Sequence, residues 1–180
     1  MNFAAKITGL ISPQKSRIMI IFAALNLKKI FKLKEKYPWP RPEICPNCMA
    51  HKVWGHGFVL AYFDGFASGI LIRRYRCPNC STVFRMRPVG YLPRFQATLE
   101  TIRSSICNKE MKERWLSGLN RTRQQHWFRG IVRRAKAFLG NTWKDGMVKA
   151  FDYFISKIIN PVSRSFKSVT FSSCILPTEG

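Results

Sequence analysis

The sequence predicts an α+β protein in which a small antiparallel β zinc ribbon precedes a helical, helix-turn-helix-like bundle. Two C-P-N-C motifs lie in residues 43–88 among segments of alternating polarity, and from Pro93 onward the apolar residues recur at helical spacing. The predicted parts are a basic N-terminal segment (1–40), a four-cysteine ribbon (41–90), helix-turn-helix-like helices (91–140), and an amphipathic helix with a frayed tail (141–180).

The composition fits a folded protein with a polyanionic partner. The 180 residues include 31 Lys+Arg against 9 Asp+Glu, a formal net charge of +22, and 46% of them are hydrophobic. Apolar residues in this proportion can form a packed core, which argues against wholesale disorder. The charge favours nucleic acid or an anionic membrane surface as a partner. Because the nine acids are scattered, we expect a binding protein and no catalytic residues.

The first 36 residues are basic and partly apolar. Their apolar run, residues 18–27, has about half the length of a bilayer-spanning helix, which needs about 20 residues. Lysines follow it where a signal peptide would place a small-residue cleavage site. We expect a helix packed on the protein or a loosely ordered basic arm, in preference to a helix lying on a membrane surface. The prolines of residues 37–42 end this segment.

The cysteine-containing part is predicted to be β-structure. Asp64-Gly65 is typical of a hairpin turn. After that turn, Ile70 and Ile72 alternate with Leu71, Arg73 and Tyr75, which predicts a strand. A last strand, residues 82–87, has Thr82, Phe84 and Met86 on one face and a valine with two arginines on the other.

Four of the six cysteines predict a metal site. They form two C-x-x-C pairs separated by residues 49–76, namely Cys45, Cys48, Cys77 and Cys80. Each C-x-x-C turn presents two thiolates, so that two turns complete the tetrahedron that Zn²⁺ prefers. Because a four-cysteine site is closed to water, we expect the zinc to be structural; an iron–sulfur cluster is the alternative. This use of cysteine favours metal binding over disulfides and predicts a reducing, cytoplasmic location.

The helical half predicts four helices. The first follows Pro93 with an apolar stripe that includes Leu99 and Ile102, and the second spans residues 110–116. The third begins at Thr122, with Gln125 completing a capping box, and ends before Gly140. The fourth covers residues 147–158 and stops at the Asn-Pro pair that follows it. The tail from Val162 is rich in serine, and we expect it to be frayed.

The third helix carries the candidate nucleic-acid contacts. Between Glu113 and Asp145 the chain has eight basic residues and no acid, whereas a solvated helix normally mixes both signs. A helix pair with a glycine-containing turn is similar to a helix-turn-helix, whose second helix reaches base edges with its first turn. We therefore expect contacts with duplex DNA from a set of basic and amide side chains on this helix: Arg121, Arg123, Gln124, Arg129, Arg133, Arg134 and Lys136.

The cysteine-containing part also resembles a known class of sequence. The run R-Y-R-C-P-N-C-S-T-V-F (residues 74–84), with C-P-N-C upstream and W-G-H-G at residues 54–57, resembles the zinc ribbon of insertion-element transposases. It is similar to an uncharacterised bacterial family associated with mobile elements, in which a ribbon precedes a helical DNA-binding segment. The resemblance covers roughly residues 41–136 and also implies a catalytic nuclease domain, which is not evident in the sequence. It therefore implies either a stand-alone DNA-binding protein of a mobile element, with a transposase as a possible partner, or a truncated transposase. Met49 and Ser81 depart from it, because glycine is common after each motif.

Two further functions remain as alternatives. An RNA- or ribosome-associated zinc-ribbon protein would use exposed aromatic side chains such as Tyr62, Phe63 or Tyr75. A truncated transposase or metal-dependent nuclease would need three carboxylates around divalent metal ions. Asp64 lies in the hairpin turn, and Asp145 and Asp152 fall late in the chain. The favoured function is therefore a DNA-binding protein of the mobile-element type.

Overall fold

The computed structural model describes residues 18–163 and confirms an α+β fold. A four-stranded mixed sheet comes first, and three longer helices follow it along the chain. The strands are β1 (Ile18–Ala23), β2 (Trp54–Ala61), β3 (Ile70–Arg76) and β4 (Val83–Pro88). The helices are α1 (Leu27–Leu33), α2 (Leu99–Lys112), α3 (Arg121–Leu139) and α4 (Gly146–Ser156), and a single 3₁₀ turn (Lys34–Lys36) follows α1.

The sheet has the order β1-β4-β3-β2. Strands β2, β3 and β4 pair antiparallel, as the alternating polarity predicts, with Tyr75 opposite Phe84 in the β3–β4 register. The loop between β2 and β3 spans residues 62–69, and so it is longer than a two-residue hairpin turn. Asp64-Gly65 does form a turn within that loop, and Gly65 takes the positive φ of +84° that glycine favours there.

Strand β1 was not predicted from the sequence. The apolar run was expected to form a packed helix or a basic arm, yet its first six residues are strand β1, which pairs in parallel with β4. This makes the sheet mixed, where a wholly antiparallel ribbon was predicted. A run rich in isoleucine has high strand propensity, and Ile21 is 1% exposed against the sheet core. Helix α1 then begins at the Asn26 cap and buries Leu27 and Ile30.

Buried apolar side chains form two separate clusters. The sheet cluster is built from β1, α1 and the other strands, and includes Ile21, Ile30, Ile72, Phe84 and Met86. The helical cluster is built from α2, α3 and α4, and includes Ile102, Ile106, Trp127, Ile131, Phe151 and Phe154. Each part of the protein therefore has its own core, and polar contacts described below join the two.

The helices correct part of the predicted helix-turn-helix. Residues 110–112 belong to α2, and residues 113–116 are not helical, so the predicted helix over 110–116 is wrong. The connection from α2 to α3, residues 113–120, is longer than the turn of about three or four residues in a helix-turn-helix. Helix α3 begins at Arg121, and its cap is Asn120, whose side chain accepts a hydrogen bond from the Arg123 backbone N–H; the predicted Thr122–Gln125 capping box is wrong.

The late part of the chain agrees with its predicted helix. Helix α4 covers Gly146–Ser156, and Asn160 follows it in non-helical chain. The predicted frayed tail and most of the basic N-terminal segment, residues 164–180 and 1–17, lie outside the described residues. Within residues 18–163, no helix is both long and apolar enough to cross a bilayer.

Candidate metal centre and nucleic-acid interface

The four predicted metal ligands converge. The Sγ atoms of Cys45 and Cys80 are 3.7 Å apart, those of Cys48 and Cys77 are 3.6 Å apart, and all four sulfurs lie within 4.8 Å of one another. A zinc ion with four Zn–S bonds of about 2.3 Å has sulfur–sulfur separations of about 3.8 Å. The two shorter distances agree with those of a tetrahedral zinc site, and the cluster can hold a metal ion.

The two C-x-x-C turns repeat one backbone geometry. The residue after each motif, Met49 or Ser81, has a positive φ, 59° and 55° respectively. Glycine is common at this position, but neither residue is glycine. Both nevertheless adopt the left-handed backbone conformation. Equivalent hydrogen bonds close the two turns: the Cys45 N–H donates to the carbonyl of Ala50 at 2.8 Å, and the Cys77 N–H donates to the carbonyl of Thr82 at 3.0 Å. The second turn is thus a structural copy of the first.

The surroundings of the sulfurs favour a bound cation. Burial raises the pKa of Cys45 to about 12. Burial also acts to raise the pKa of Cys80, but hydrogen bonds with Thr82 and Asn47 outweigh it and lower this pKa to about 5. Cys45 is fully buried, so its thiolate is unfavourable near neutral pH unless a positive ion compensates the charge. The backbone N–H of Asn47 donates to the Cys45 sulfur at 3.4 Å and helps to orient it.

The position of the cluster indicates what the metal would do. One cysteine pair precedes β2 and the other connects β3 to β4, so a shared ion fastens both connections at one end of the sheet. Four protein sulfurs complete a tetrahedron and leave no position for a reacting water. The arrangement suits a structural role, in which metal binding contributes to the folding free energy of a small sheet.

Gln124 was predicted to contact DNA, and this prediction is wrong. Its side chain is fully buried, and its Oε1 accepts hydrogen bonds from Ser105 Oγ at 2.7 Å and from the Leu116 N–H at 3.0 Å. Its Nε2 donates to the carbonyls of Leu116 and Leu119 at 2.9 and 3.1 Å. Every polar atom of the amide is therefore used inside the protein, where it fixes the connection between α2 and α3.

Arg134 and Arg123 also differ from their predicted role. Arg134 is 3% exposed, its guanidinium lies 5.5 Å from the centre of the Phe138 ring, and burial lowers its pKa. A side chain in that position does not reach a phosphate at the surface. Arg123 donates two hydrogen bonds to the Asp64 carboxylate, at 3.0 and 2.8 Å, and lies over the Trp127 ring. Its guanidinium is engaged within the protein because the hairpin loop already provides its anion.

The other four predicted contacts share one exposed face of α3. We call the exposed side chains Arg121, Arg129, Arg133 and Lys136 the basic face. At 3.6 residues per turn they fall within about 120° of the helix circumference, opposite the buried residues Trp127 and Ile131. None of the four forms an ion pair with a carboxylate in residues 18–163. These charges are thus aligned and available to a polyanion.

The aromatic residues named for the RNA alternative are only partly available. Phe63 and Tyr75 are each 3% exposed, and the Tyr75 hydroxyl donates to the carbonyl of Pro40 at 2.9 Å. Tyr62 is 58% exposed and can offer its ring to a base. One available ring from the three gives little support to a stacking surface on the sheet.

Asp64 has a role beyond its turn, which the sequence prediction did not include. Its backbone N–H donates to the carbonyl of Gln96 at 3.0 Å, and its carboxylate binds Arg123. Local sequence gives a signal only for the turn, because the partner lies 59 positions away along the chain. The loop between β2 and β3 therefore connects the sheet to the start of α3.

Comparison with known proteins gives no support to the resemblance noted from the sequence. That resemblance rests on the two cysteine motifs and the W-G-H-G element, of which the motifs form the sulfur cluster described above. The chain matches no protein-family profile, no curated protein and no solved structure.

Proposed function

We propose that the protein is a zinc-ribbon protein that binds duplex DNA through the basic face of α3. The observation that carries this proposal is the alignment of Arg121, Arg129, Arg133 and Lys136 on one exposed face of a helix. From the first to the last of these residues the helix rises about 22 Å, which covers several phosphates of a duplex. An α-helix also fits the width of the major groove, about 12 Å.

Zinc is the metal that the sulfur cluster suits best. Four thiolates in a tetrahedral arrangement select zinc or iron, and a structural zinc needs no redox partner. The ion would stabilise the sheet, and the sheet in turn holds α3 through the Asp64–Arg123 ion pair. The metal would therefore stabilise the sheet, DNA would bind to α3, and the Asp64–Arg123 ion pair would connect the two parts.

The buried residues favour contact with phosphates over contact with bases. In the first turn of α3, where a recognition helix contacts bases, Gln124 is buried and Arg123 is paired with Asp64. Lysine and arginine on the basic face supply the charge contacts that give DNA affinity without sequence information. We therefore propose weakly sequence-specific, salt-sensitive binding. An association with a mobile element and its transposase is the biological setting that the transposase resemblance suggests.

The test neutralises two charges of the basic face and two charges elsewhere. Arg129→Gln with Arg133→Gln removes two proposed contacts, while Lys28→Gln with Lys32→Gln removes two exposed charges from α1. The full chain, loaded with zinc, is titrated with duplex DNA at several salt concentrations. We expect the first pair to weaken binding about tenfold and to reduce the slope of log K against log salt by about 1.8, since each phosphate contact contributes about 0.9. The α1 pair should change both quantities little.

Equal losses in both variants would overturn the α3 interface and indicate diffuse attraction by net charge. The same titrations with structured RNA and with single strands separate the RNA alternative, because an RNA-binding protein would prefer those ligands to the duplex. Incubation of labelled duplex with Mg²⁺ or Mn²⁺ tests the nuclease alternative, for which we expect no cleavage.

A further inference from the structure

A cavity of about 400 Å³ lies beside the sheet, and none of the four clustered cysteines lines it. Strands β1 and β4 contribute Ile20, Arg85 and Arg87, and the segment before α2 contributes Arg94 and Phe95. This volume is within the range of roughly 300–1,000 Å³ found for small-molecule sites. The cavity combines apolar walls with three positive side chains, and none of its lining residues is acidic.

The positive charge around the cavity lacks a counter-ion in the described part of the chain. Arg85 faces Arg74 directly across the β3–β4 register, so a fourth guanidinium stands beside the three. Burial, and then the charge of Arg74, lower the pKa of Arg85. The Asp64 carboxylate, on the loop bonded to Gln96 at the cavity wall, is already bound by Arg123. The four guanidinium groups therefore repel one another unless an anion binds among them.

Arg87 shows most directly that the cavity suits an anion. Its side chain is 94% buried, since only 6% of the residue is exposed, and burial followed by the nearby Arg85 charge lowers its pKa to about 10. One of its terminal nitrogens donates to the carbonyl of Phe95, and its guanidinium lies 5.5 Å from the centre of the Phe63 ring. Its Nε has no hydrogen-bond partner within residues 18–163. A buried arginine without a carboxylate is costly, and a bound anion offsets that cost.

We infer that this cavity binds the phosphate group of a phosphate monoester. An arginine guanidinium can donate two parallel hydrogen bonds to the oxygens of a phosphate group. Three arginines match the double negative charge of a phosphate monoester better than the single charge of a carboxylate. Arg94 is exposed and lines the same cavity as Arg85 and Arg87, so that it adds a third guanidinium to the lining. The ligand is either a small phosphorylated molecule or the terminal phosphate of a nucleic-acid strand. This site is distinct from the basic face of α3.

The experiment uses the full, zinc-loaded chain and four probes. Inorganic phosphate and adenosine monophosphate represent small ligands, and one oligonucleotide is used with and without a 5′-phosphate. Binding is measured by calorimetry and by the melting temperature, with chloride at the same ionic strength as the reference. We expect Arg94→Gln and Arg85→Gln each to weaken phosphate binding at least about tenfold, the loss of one charge-assisted contact. The control variant Lys28→Gln/Lys32→Gln should bind phosphate like the original chain.

A second readout separates a binding role from a structural one. Because Arg85→Gln removes a charge between Arg74 and Arg87, it should keep or raise the melting temperature in chloride while losing the rise produced by phosphate. A preference for the 5′-phosphorylated oligonucleotide that Arg94→Gln abolishes identifies a strand end as the source. Binding of the small probes alone identifies a small ligand. The inference is overturned if phosphate adds nothing beyond chloride, or if both arginine variants bind phosphate as tightly as the original chain does.

Discussion

The guanidinium of Arg123 donates two hydrogen bonds to the carboxylate of Asp64, at 3.0 and 2.8 Å. The pair joins the loop between β2 and β3 to the first turn of α3, and thus the two parts of the protein that have separate hydrophobic clusters. Both side chains are about one-third exposed, 31% for Arg123 and 34% for Asp64. Bidentate geometry and partial burial distinguish this ion pair from a typical surface pair.

The first prediction is that Asp64 and Arg123 are energetically coupled. In a double-mutant cycle with Asp64→Asn and Arg123→Gln, measured by urea unfolding, we expect a coupling free energy of about 1 kcal/mol, the upper end for exposed pairs. The exposed pair Asp145–Lys149, with 3.6 Å between its charged atoms, is the matched control and should show a much smaller coupling. Additive effects of the two substitutions would show that the contact does not connect the sheet to α3.

The second prediction concerns Gln124. Gln124→Ala leaves the N–H and carbonyl of Leu116 without their buried partner, so the free energy of unfolding should fall by about 2–3 kcal/mol. The neighbouring Gln125→Ala, at a half-exposed position, should cost far less. At a temperature where both variants are folded, duplex affinity should be unchanged. A Gln124→Ala protein that is stable but binds DNA poorly would restore the base-contact role.

The burial of Gln124 was predictable from helical periodicity. The apolar stripe of α3 includes Trp127, Ile131 and Ala135, and position 124 lies on the same stripe three residues before Trp127. The predicted DNA contact rested instead on the number of basic and amide residues. That number does not indicate which side of a helix is buried. The sulfur cluster was predictable because the local geometry of each C-x-x-C turn presents two sulfurs, and two such turns supply four ligands.

Strand β1 and the cavity were not predictable in the same way. The apolar run that contains β1 is compatible with either a helix or a strand. Parallel pairing with β4, in which Ile18 lies opposite Val83, makes it a strand. No local pattern encodes a partner so far along the chain. The burial of Arg87 also depends on residues outside its strand, since its guanidinium lies over the Phe63 ring and donates to the carbonyl of Phe95.

The third prediction is that Gly130 is required for close packing in α3. A Cβ at this position would lie 2.6 Å from the carbonyl oxygen of Val162, a backbone atom that cannot rotate away. Gly130→Ala should therefore lower the free energy of unfolding by about 1–3 kcal/mol, although alanine has the higher helix propensity. The exposed Ala137→Gly measures the propensity effect alone. Stabilisation by Gly130→Ala would show that the segment around Val162 yields.

The fourth prediction concerns pH. Hydrogen bonds from Arg103, 2.7 Å to each carboxylate oxygen, hold the pKa of Asp152 below its ordinary value of 3.8. A lowered pKa means that the stabilisation is complete above the ordinary pKa and is lost as the pH falls through the folded-state value. Both side chains are nearly half exposed, so the contribution should be only about 0.5 kcal/mol and should fall further in salt.

Urea unfolding of Asp152→Asn and of the original chain checks this sign. The difference in stability should be present at pH 6, should begin to shrink near pH 4 and should disappear as the pH falls through the lowered pKa of Asp152. Glu43→Gln, at an exposed loop position, is the control and should show no comparable dependence. A difference that grows as the pH falls would contradict the assignment of the effect to the Arg103–Asp152 pair.

The last prediction is that the sheet depends on its metal while the helices do not. Cys77→Ser removes one of four sulfurs that lie within 4.8 Å of one another, so zinc content by elemental analysis should fall from one ion per chain to nearly none. The sheet cluster should then lose protection against hydrogen exchange, whereas α2, α3 and α4 keep theirs because their core is a separate cluster. Cys107→Ser, a half-buried cysteine outside the sulfur cluster, should retain both metal and protection. Stoichiometric zinc in Cys77→Ser would refute the ligand assignment, and uniform loss of protection would show that the two clusters unfold as one.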